Sequence, residues 1–143
     1  MHAFGPYPKC VHRFPFKNIC FFLSLHQISH KPNMCKELFE SIDTTIRKEQ
    51  LYAAVNLMRE DVTKRFGIGR HHLNDLLNTY ADGMSFPQYI NSIRMEVAFK
   101  LISTNPKLTI NDIANKVGLT APNFRELFKQ KYGITPTEFK AKL

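Results

Sequence analysis

From residue 36 onward the sequence predicts an all-α protein of about seven helices. Three observations carry this. Apolar residues there recur every three or four positions, the spacing of one helix face. Serine, threonine and glycine stand at the ends of these runs, as helix caps require. One stretch of the pattern also occurs twice, and no alternating strand pattern interrupts it.

Leu38, Ile42 and Ile46 recur every four residues and define a first helix over about Cys35–Glu49. A second is expected from about Met58 to Phe66, stopped by Gly67, which readily takes the left-handed conformation of a helix end. A third starts near Arg70 and carries Leu73, Leu76 and Leu77. Ser85-Phe86-Pro87-Gln88 then supplies a serine N-cap, an early proline and a glutamine at the capping-box position. The helix it opens sets Phe86, Ile90, Ile93, Val97 and Leu101 on one face. It should end near Thr104, because Pro106 pushes Asn105 out of helical geometry. Thr109 with Asp112 caps a fifth helix, which Gly118 closes. Ala121–Tyr132 is a sixth, and Thr135-Pro136-Thr137-Glu138 is a capping box opening a seventh.

The repeat has an offset of 51 residues. Asp61-Val62-Thr63-Lys64-Arg65-Phe66-Gly67-Ile68 falls on Asp112-Ile113-Ala114-Asn115-Lys116-Val117-Gly118-Leu119. Without a gap, Leu73 then falls on Phe124, Asp75 on Glu126, Leu76 on Leu127 and Leu77 on Phe128. This is the pattern of a helix–turn–helix unit written twice: two short helices crossing steeply through a turn that contains glycine. A small residue suits the crossing, which Ala114 supplies and Thr63 matches. Ile68 and Leu119 plug the angle, and Leu73, Leu76, Phe124 and Leu127 pin each second helix to the core. The opposite faces are polar. They hold Arg70, His71, Asn74 and Asp75 in the first unit, and Asn123, Arg125, Glu126 and Lys129 in the second. Such a helix fits the major groove, where Arg, Asn and His carry donors for base edges. Lys129 lies a turn further on, where it should reach a phosphate. A single turn of this kind occurs in many bundles; two in register point to double-stranded DNA.

The charge balance is compatible with that partner. Twenty Lys and Arg against twelve Asp and Glu give the 143 residues a net charge of +8. Residues 1–35 are a different kind of sequence. They hold Lys9, Arg13, Lys17 and Lys31, no acidic residue, and all three cysteines (Cys10, Cys20, Cys35). Pro6, Pro8 and Pro15 break any periodicity, so an irregular, poorly ordered basic segment is expected ahead of a 36–143 domain. The Ile19–Leu25 run is short for a secretory h-region and lacks a cleavage site. Cys20, His26, His30 and Cys35 lack the paired-cysteine knuckle of a zinc site, so no metal or cofactor is expected. Unpaired cysteines without a framework fit the cytoplasm. No run is long and apolar enough for a membrane span.

The residues from about Glu37 to Lys142 resemble the DNA-binding domain of the AraC/XylS family of bacterial transcription regulators. The matching pieces are Gly83–Ile90, Ile93–Ala98, Ile110–Ala114 with Gly118, Leu127–Lys129 and Tyr132–Phe139. The resemblance implies two helix–turn–helix units joined by a long linker helix and set in two successive major-groove segments. Independently of it, Phe86–Thr104 at ~1.5 Å per residue is ~29 Å long, close to the ~34 Å between like grooves one turn apart. The sequence departs from the family pattern at Leu119, where phenylalanine is usual, and at Ala121-Pro122, where serine is common. Its second turn is also one residue shorter than usual, and residues 1–35 resemble no sensory or effector domain.

Asp75 and Glu126 fall where members often place a basic or amide residue. Either could accept from cytosine N4, or pair with Arg70 or Arg125, the commoner arrangement for exposed charges on a helix. His71-His72 is read as groove-facing, because adjacent helical residues point about 100° apart and make a poor metal pair. A sequence-specific transcription regulator is therefore expected, with RNA polymerase as a further partner. The alternative is a helical module that binds another regulator or the polymerase without DNA. An enzyme is not expected, since no nucleophile–base set or phosphate loop is written in the chain.

Overall fold

The computed structural model describes residues 32–143; the expectations for residues 1–31, secretory run and Cys20/His26/His30 set included, lie outside them. Seven α-helices occupy the described residues: α1 (Pro32–Lys48), α2 (Arg59–Phe66), α3 (Arg70–Tyr80), α4 (Phe86–Thr104), α5 (Ile110–Lys116), α6 (Ala121–Tyr132) and α7 (Pro136–Ala141). A short 3-10 turn, Leu51–Ala53, stands between α1 and α2 and was not expected from the sequence. Helix α1 opens at Pro32, three residues ahead of the expected Cys35, so a boundary drawn at residue 36 cuts its first turn. Proline is at home there, having no N–H for a helix start to leave unpaired.

The capping chemistry is in place. Thr109 Oγ1 accepts from the Asp112 N–H at 3.1 Å while Asp112 Oδ2 accepts from the Thr109 N–H at 3.0 Å. Thr135 and Glu138 repeat this at 3.2 and 2.8 Å. At α4 the Ser85 N–H and hydroxyl both donate to Gln88 Oε1, at 2.9 and 2.8 Å. At α2 only half a box forms: the Met58 N–H donates to Asp61 Oδ2 at 2.8 Å, and methionine has no oxygen to return. The hydroxyl and N–H of Thr109 hold the Asp112 carboxyl below its ordinary value; the N–H and hydroxyl of Thr135 do the same for Glu138.

Two hydrophobic cores meet on α4. Its first half gives Phe86, Tyr89, Ile90 and Ile93 to a core shared with Ile42, Ile46, Val62, Leu73 and Leu77. Its second half gives Met95, Ala98 and Ile102 to a core shared with Ile113, Ala114, Phe124 and Phe128. The single stripe expected along α4 is therefore broken. Val97 and Leu101 are half-buried while Met95 and Ile102 are buried. At about 100° per residue the two buried sets lie on nearly opposite faces. One unit packs on each side of the linker.

The Leu51–Ala53 turn straps these halves together. Arg94, in the middle of α4 and only 8% exposed, donates from Nε to Tyr52 O at 2.7 Å and from Nη2 to Ala54 O at 2.9 Å. Its third donor reaches Asn91 Oδ1 at 3.1 Å. On the other side the strap abuts the turn of the second unit: a Cβ added at Gly118 would stand 2.4 Å from Ala53 O. A chain of polar contacts runs beside it. Asp43 accepts from Tyr89 and Arg47, Arg47 reaches Glu96 at 3.0 Å, and Lys131 of α6 lies 3.5 Å from Glu96. Burial, then the hydrogen bond to Asp43, raises the Tyr89 hydroxyl well above its ordinary pKa, so it stays a donor.

Three outcomes follow for stability. Gly67 and Gly118 both have positive φ, but only Gly118 lacks room for a side chain. Gly67→Ala should cost ~1–2 kcal/mol for the left-handed conformation, and Gly118→Ala a further ~1–3 kcal/mol of overpacking, measured by urea denaturation. Equal losses would mean the strap does not press on the turn. Arg94→Lys, which replaces a planar fork of separate donors with one nitrogen, should cost ~1.5–3 kcal/mol, the size of a hydrogen bond to a charged group; an unchanged midpoint would remove Arg94 from that role. The depressed carboxyls set the pH behaviour. Their contribution is present above the ordinary values of 3.8 and 4.5 and is lost as pH falls through the lower folded values. The melting temperature of an Asp112→Asn, Glu138→Gln variant should therefore fall less between pH 6 and about pH 3 than that of the parent.

Candidate nucleic-acid interface

Helices α2–α3 and α5–α6 form two helix–turn–helix units in one register. Their first helices start at Arg59 and Ile110 and their second at Arg70 and Ala121, the same 51-residue offset twice. The turns share their wiring. The Ile68 N–H donates to Thr63 O and the Leu119 N–H to Ala114 O, each at 3.0 Å, with Gly67 and Gly118 left-handed at φ 63° and 73°. Ala114 is fully buried at its crossing. The buried Thr63 satisfies its hydroxyl on Glu60 O at 3.1 Å. Leu73, Leu76, Phe124 and Phe128 are buried, and Leu127 is half-buried on the flank toward α4.

On α3 the side away from the core carries His71 and Asp75, both exposed and one turn apart. Asn74 is half-buried on the flank toward α2, where its Oδ1 accepts from Arg59 at 3.2 Å. Arg70 is exposed and pairs at 3.0 Å with Glu60 on α2, not with Asp75. The reason is geometric: five residues along a helix turn the chain by about 140°, and the neighbouring helix is nearer. On α6, Asn123, Arg125, Glu126 and Lys129 are all exposed. Among the described residues no ion pair reaches the carboxylate of Asp75 or Glu126.

The offset sorts these side chains further. It equates Glu126 with Asp75, Asn123 with His72 and Arg125 with Asn74, so Arg125 occupies the flank toward α5. It also equates Lys129 with Asn78 and Pro122 with His71. Asn78 and Pro122 are exposed, and neither is among the residues singled out from the sequence. The repeat held the signal: carrying each candidate across to the other copy finds both. Arg59, Asn74 and Asn78 also line a groove of about 350 Å³ against the first turn of α4, where Arg59 Nε is a buried donor without a hydrogen-bond partner. Among the described residues no three His, Cys, Asp or Glu side chains cluster as metal ligands. None of the described helices is long and apolar enough to cross a membrane.

Comparison with known proteins gives the same outline. The helix-turn-helix domain family matches residues 62–142, more than half of the chain. The Msm operon regulatory protein of Streptococcus mutans is 29% identical over 89 residues, 62% of this chain and 31% of that protein. The HTH-type transcriptional regulator YisR of Bacillus subtilis is 43% identical over 60 residues, 41% of this chain and 20% of that protein. The chain thus spans less than a third of the length of these curated relatives. Among solved structures, the C-terminal domain of AraT, a response regulator from Geobacillus stearothermophilus, superposes with a TM-score of 0.64 at 27% identity. That match covers 74% of this chain and 85% of the AraT domain. With two units in register, a linker helix between them and these relatives, the chain belongs to the AraC-type helix–turn–helix family, the DNA-binding domains of transcription regulators.

Proposed function

We propose that this chain binds double-stranded DNA sequence-specifically, with α3 and α6 in two successive major-groove segments, as the DNA-binding part of a transcription regulator. The observation that carries this is the 51-residue register of the two units about a 19-residue linker helix. That linker is ~29 Å long, against ~34 Å between groove segments one turn apart. A protein–protein module would need neither the register nor the span.

In this reading His71, Asp75 and Glu126 point at base edges from the outward line of each helix, and the exposed Asn123, the counterpart of half-buried His72, reaches a base edge from beside that line. Asn78, the counterpart of Lys129, stands beside the first pair. Arg70 and Arg125 stand on the flanks, where phosphates run on either side of a helix in the groove, and Lys129, a turn further along α6 and long enough to leave the reading line, reaches a phosphate beyond it. The sequence alone put Arg125 with the base readers. Its equivalence to Asn74, which faces the neighbouring helix, favours the backbone instead. Arg59, with its spare donor beside α3, is a further phosphate candidate. A regulator bound at a promoter has RNA polymerase as its second partner and works in the cytoplasm, where the DNA is. Its role is binding and not catalysis, and any sensory input comes from outside residues 36–143, the proposed binding domain.

Titration against a selected duplex and a scrambled one, at several salt concentrations, tests the assignment. Asn123→Ala should cost ~1–3 kcal/mol on the selected duplex and relax preference at one base pair. Arg125→Ala and Lys129→Ala should weaken binding to both duplexes alike and each shallow the salt slope by about one. A salt-independent affinity would return the chain to the protein–protein alternative.

A further inference from the structure

We propose that Asp75 and Glu126 are the specificity-determining pair, each accepting a hydrogen bond from the N4 amine of a cytosine, so that the preferred site carries two cytosines about one helical turn apart. This rests on the DNA-binding reading above and adds to it which bases are read.

The two acids occupy the same position of the repeat, each two residues beyond the buried Leu73 or Phe124 that pins its helix. Both are exposed. The ordinary explanation for an acid on a basic protein is an ion pair within the free molecule, and here it fails. Arg70 is committed to Glu60 at 3.0 Å, Arg59 donates to Asn74 at 3.2 Å, and no ion pair among the described residues involves either acid.

Placed in the major groove, such a carboxylate is desolvated between two rows of phosphates. Unless it meets a donor, its burial is costly. The groove edge offers two amine donors, cytosine N4 and adenine N6, and adenine sets the acceptor N7 beside its amine. Guanine presents O6 and N7, and thymine presents O4, so each sets an acceptor against the carboxylate. Cytosine is the base a lone carboxylate matches. The acids then work in two directions: they gain one hydrogen bond on cytosine, and they are repelled by the acceptors of guanine and thymine and by the backbone, with adenine between, its N7 acceptor offsetting its amine. Successive groove segments are ~10 base pairs apart, so equal positions on α3 and α6 meet bases at about that separation.

The experiment is selection from randomised duplexes with the full chain, repeated with Asp75→Asn and Glu126→Gln, followed by titration of single-base variants of the recovered site. Both residues are exposed, and circular dichroism checks that the variants stay folded. The parent should recover sites with two cytosines about ten base pairs apart. Changing either cytosine to thymine should weaken it about tenfold. Asp75→Asn should cut the penalty at one position to under about twofold, with adenine now accepted there, and leave the other position unchanged; Glu126→Gln should do the reverse. Asp75→Ala should bind scrambled DNA more tightly than the parent, having lost a repelling charge. Selected sites without the cytosine pair, or variants that keep the parent's preference, would overturn the proposal and leave DNA binding standing. Recovery of no sequence above random would overturn the DNA reading, and this proposal with it.

Discussion

The relation between the two units depends on Arg94. A helix of 19 residues sets how far apart two packed units stand. Its length alone does not set how they are turned about its axis; that depends on the apolar contacts of each unit, on the Arg47–Glu96–Lys131 chain and on the strap. Arg94 lies where the two buried faces of α4 change over, between Ile93 and Met95. Its guanidinium binds Tyr52 O in the strap and Ala54 O just past it, and the strap lies against Gly118 in the turn of the second unit. A rotation of the second unit about α4 would drive the turn into Ala53 or open a gap beneath it. Two reading helices act as one ligand only if both fit at once; otherwise the second contact adds nothing. The strap is what makes the pair a pair.

Much of the helical skeleton was legible in the sequence because its determinants are local. The boxes Thr109/Asp112 and Thr135/Glu138 span three residues each, and both form as read. Helices α4 and α6 have the bounds read from the sequence, and α3 starts at Arg70 as read. The strap was not legible. Leu51–Ala53 has no periodicity, and the contact that gives it meaning joins residues 42 apart in the chain. Nor was the change of face along α4. Val97 and Leu101 continue the apolar spacing of Ile90 and Ile93 well enough, and only the second unit's position shows that Met95, Ala98 and Ile102 are the buried set.

The candidate interface divides along the same line. That Arg70, His71, Asp75, Asn123, Glu126 and Lys129 are exposed followed from the helical period. Arg70's partner did not, since Glu60 is on another helix. The flank of Asn74, and with it that of Arg125, became visible only through the bond from Arg59. A sequence shows which side of a helix faces the core. Which of the remaining directions faces a neighbouring helix is a property of the crossing angle, and nothing in a single helix encodes it.

The charge pattern separates two tasks that one kind of side chain could not perform. Lysine and arginine on the flanks attract every duplex equally, since phosphates are the same in all of them. A surface built only of such groups binds tightly and reads nothing. Carboxylates along the reading line do the opposite: they lower affinity for most sequences and leave it intact where a donor meets them. With a net charge of +8 the chain has attraction to spare, and the two acids, in the proposed role, remove some of it where the base identity matters. The units are not equal in this. Pro122 stands where the first unit has His71, so in the proposed reading α6 has one donor fewer along its outward line and leans more on Glu126. On that reading, discrimination in the second unit rests on fewer side chains, held in place by the turn that the strap supports.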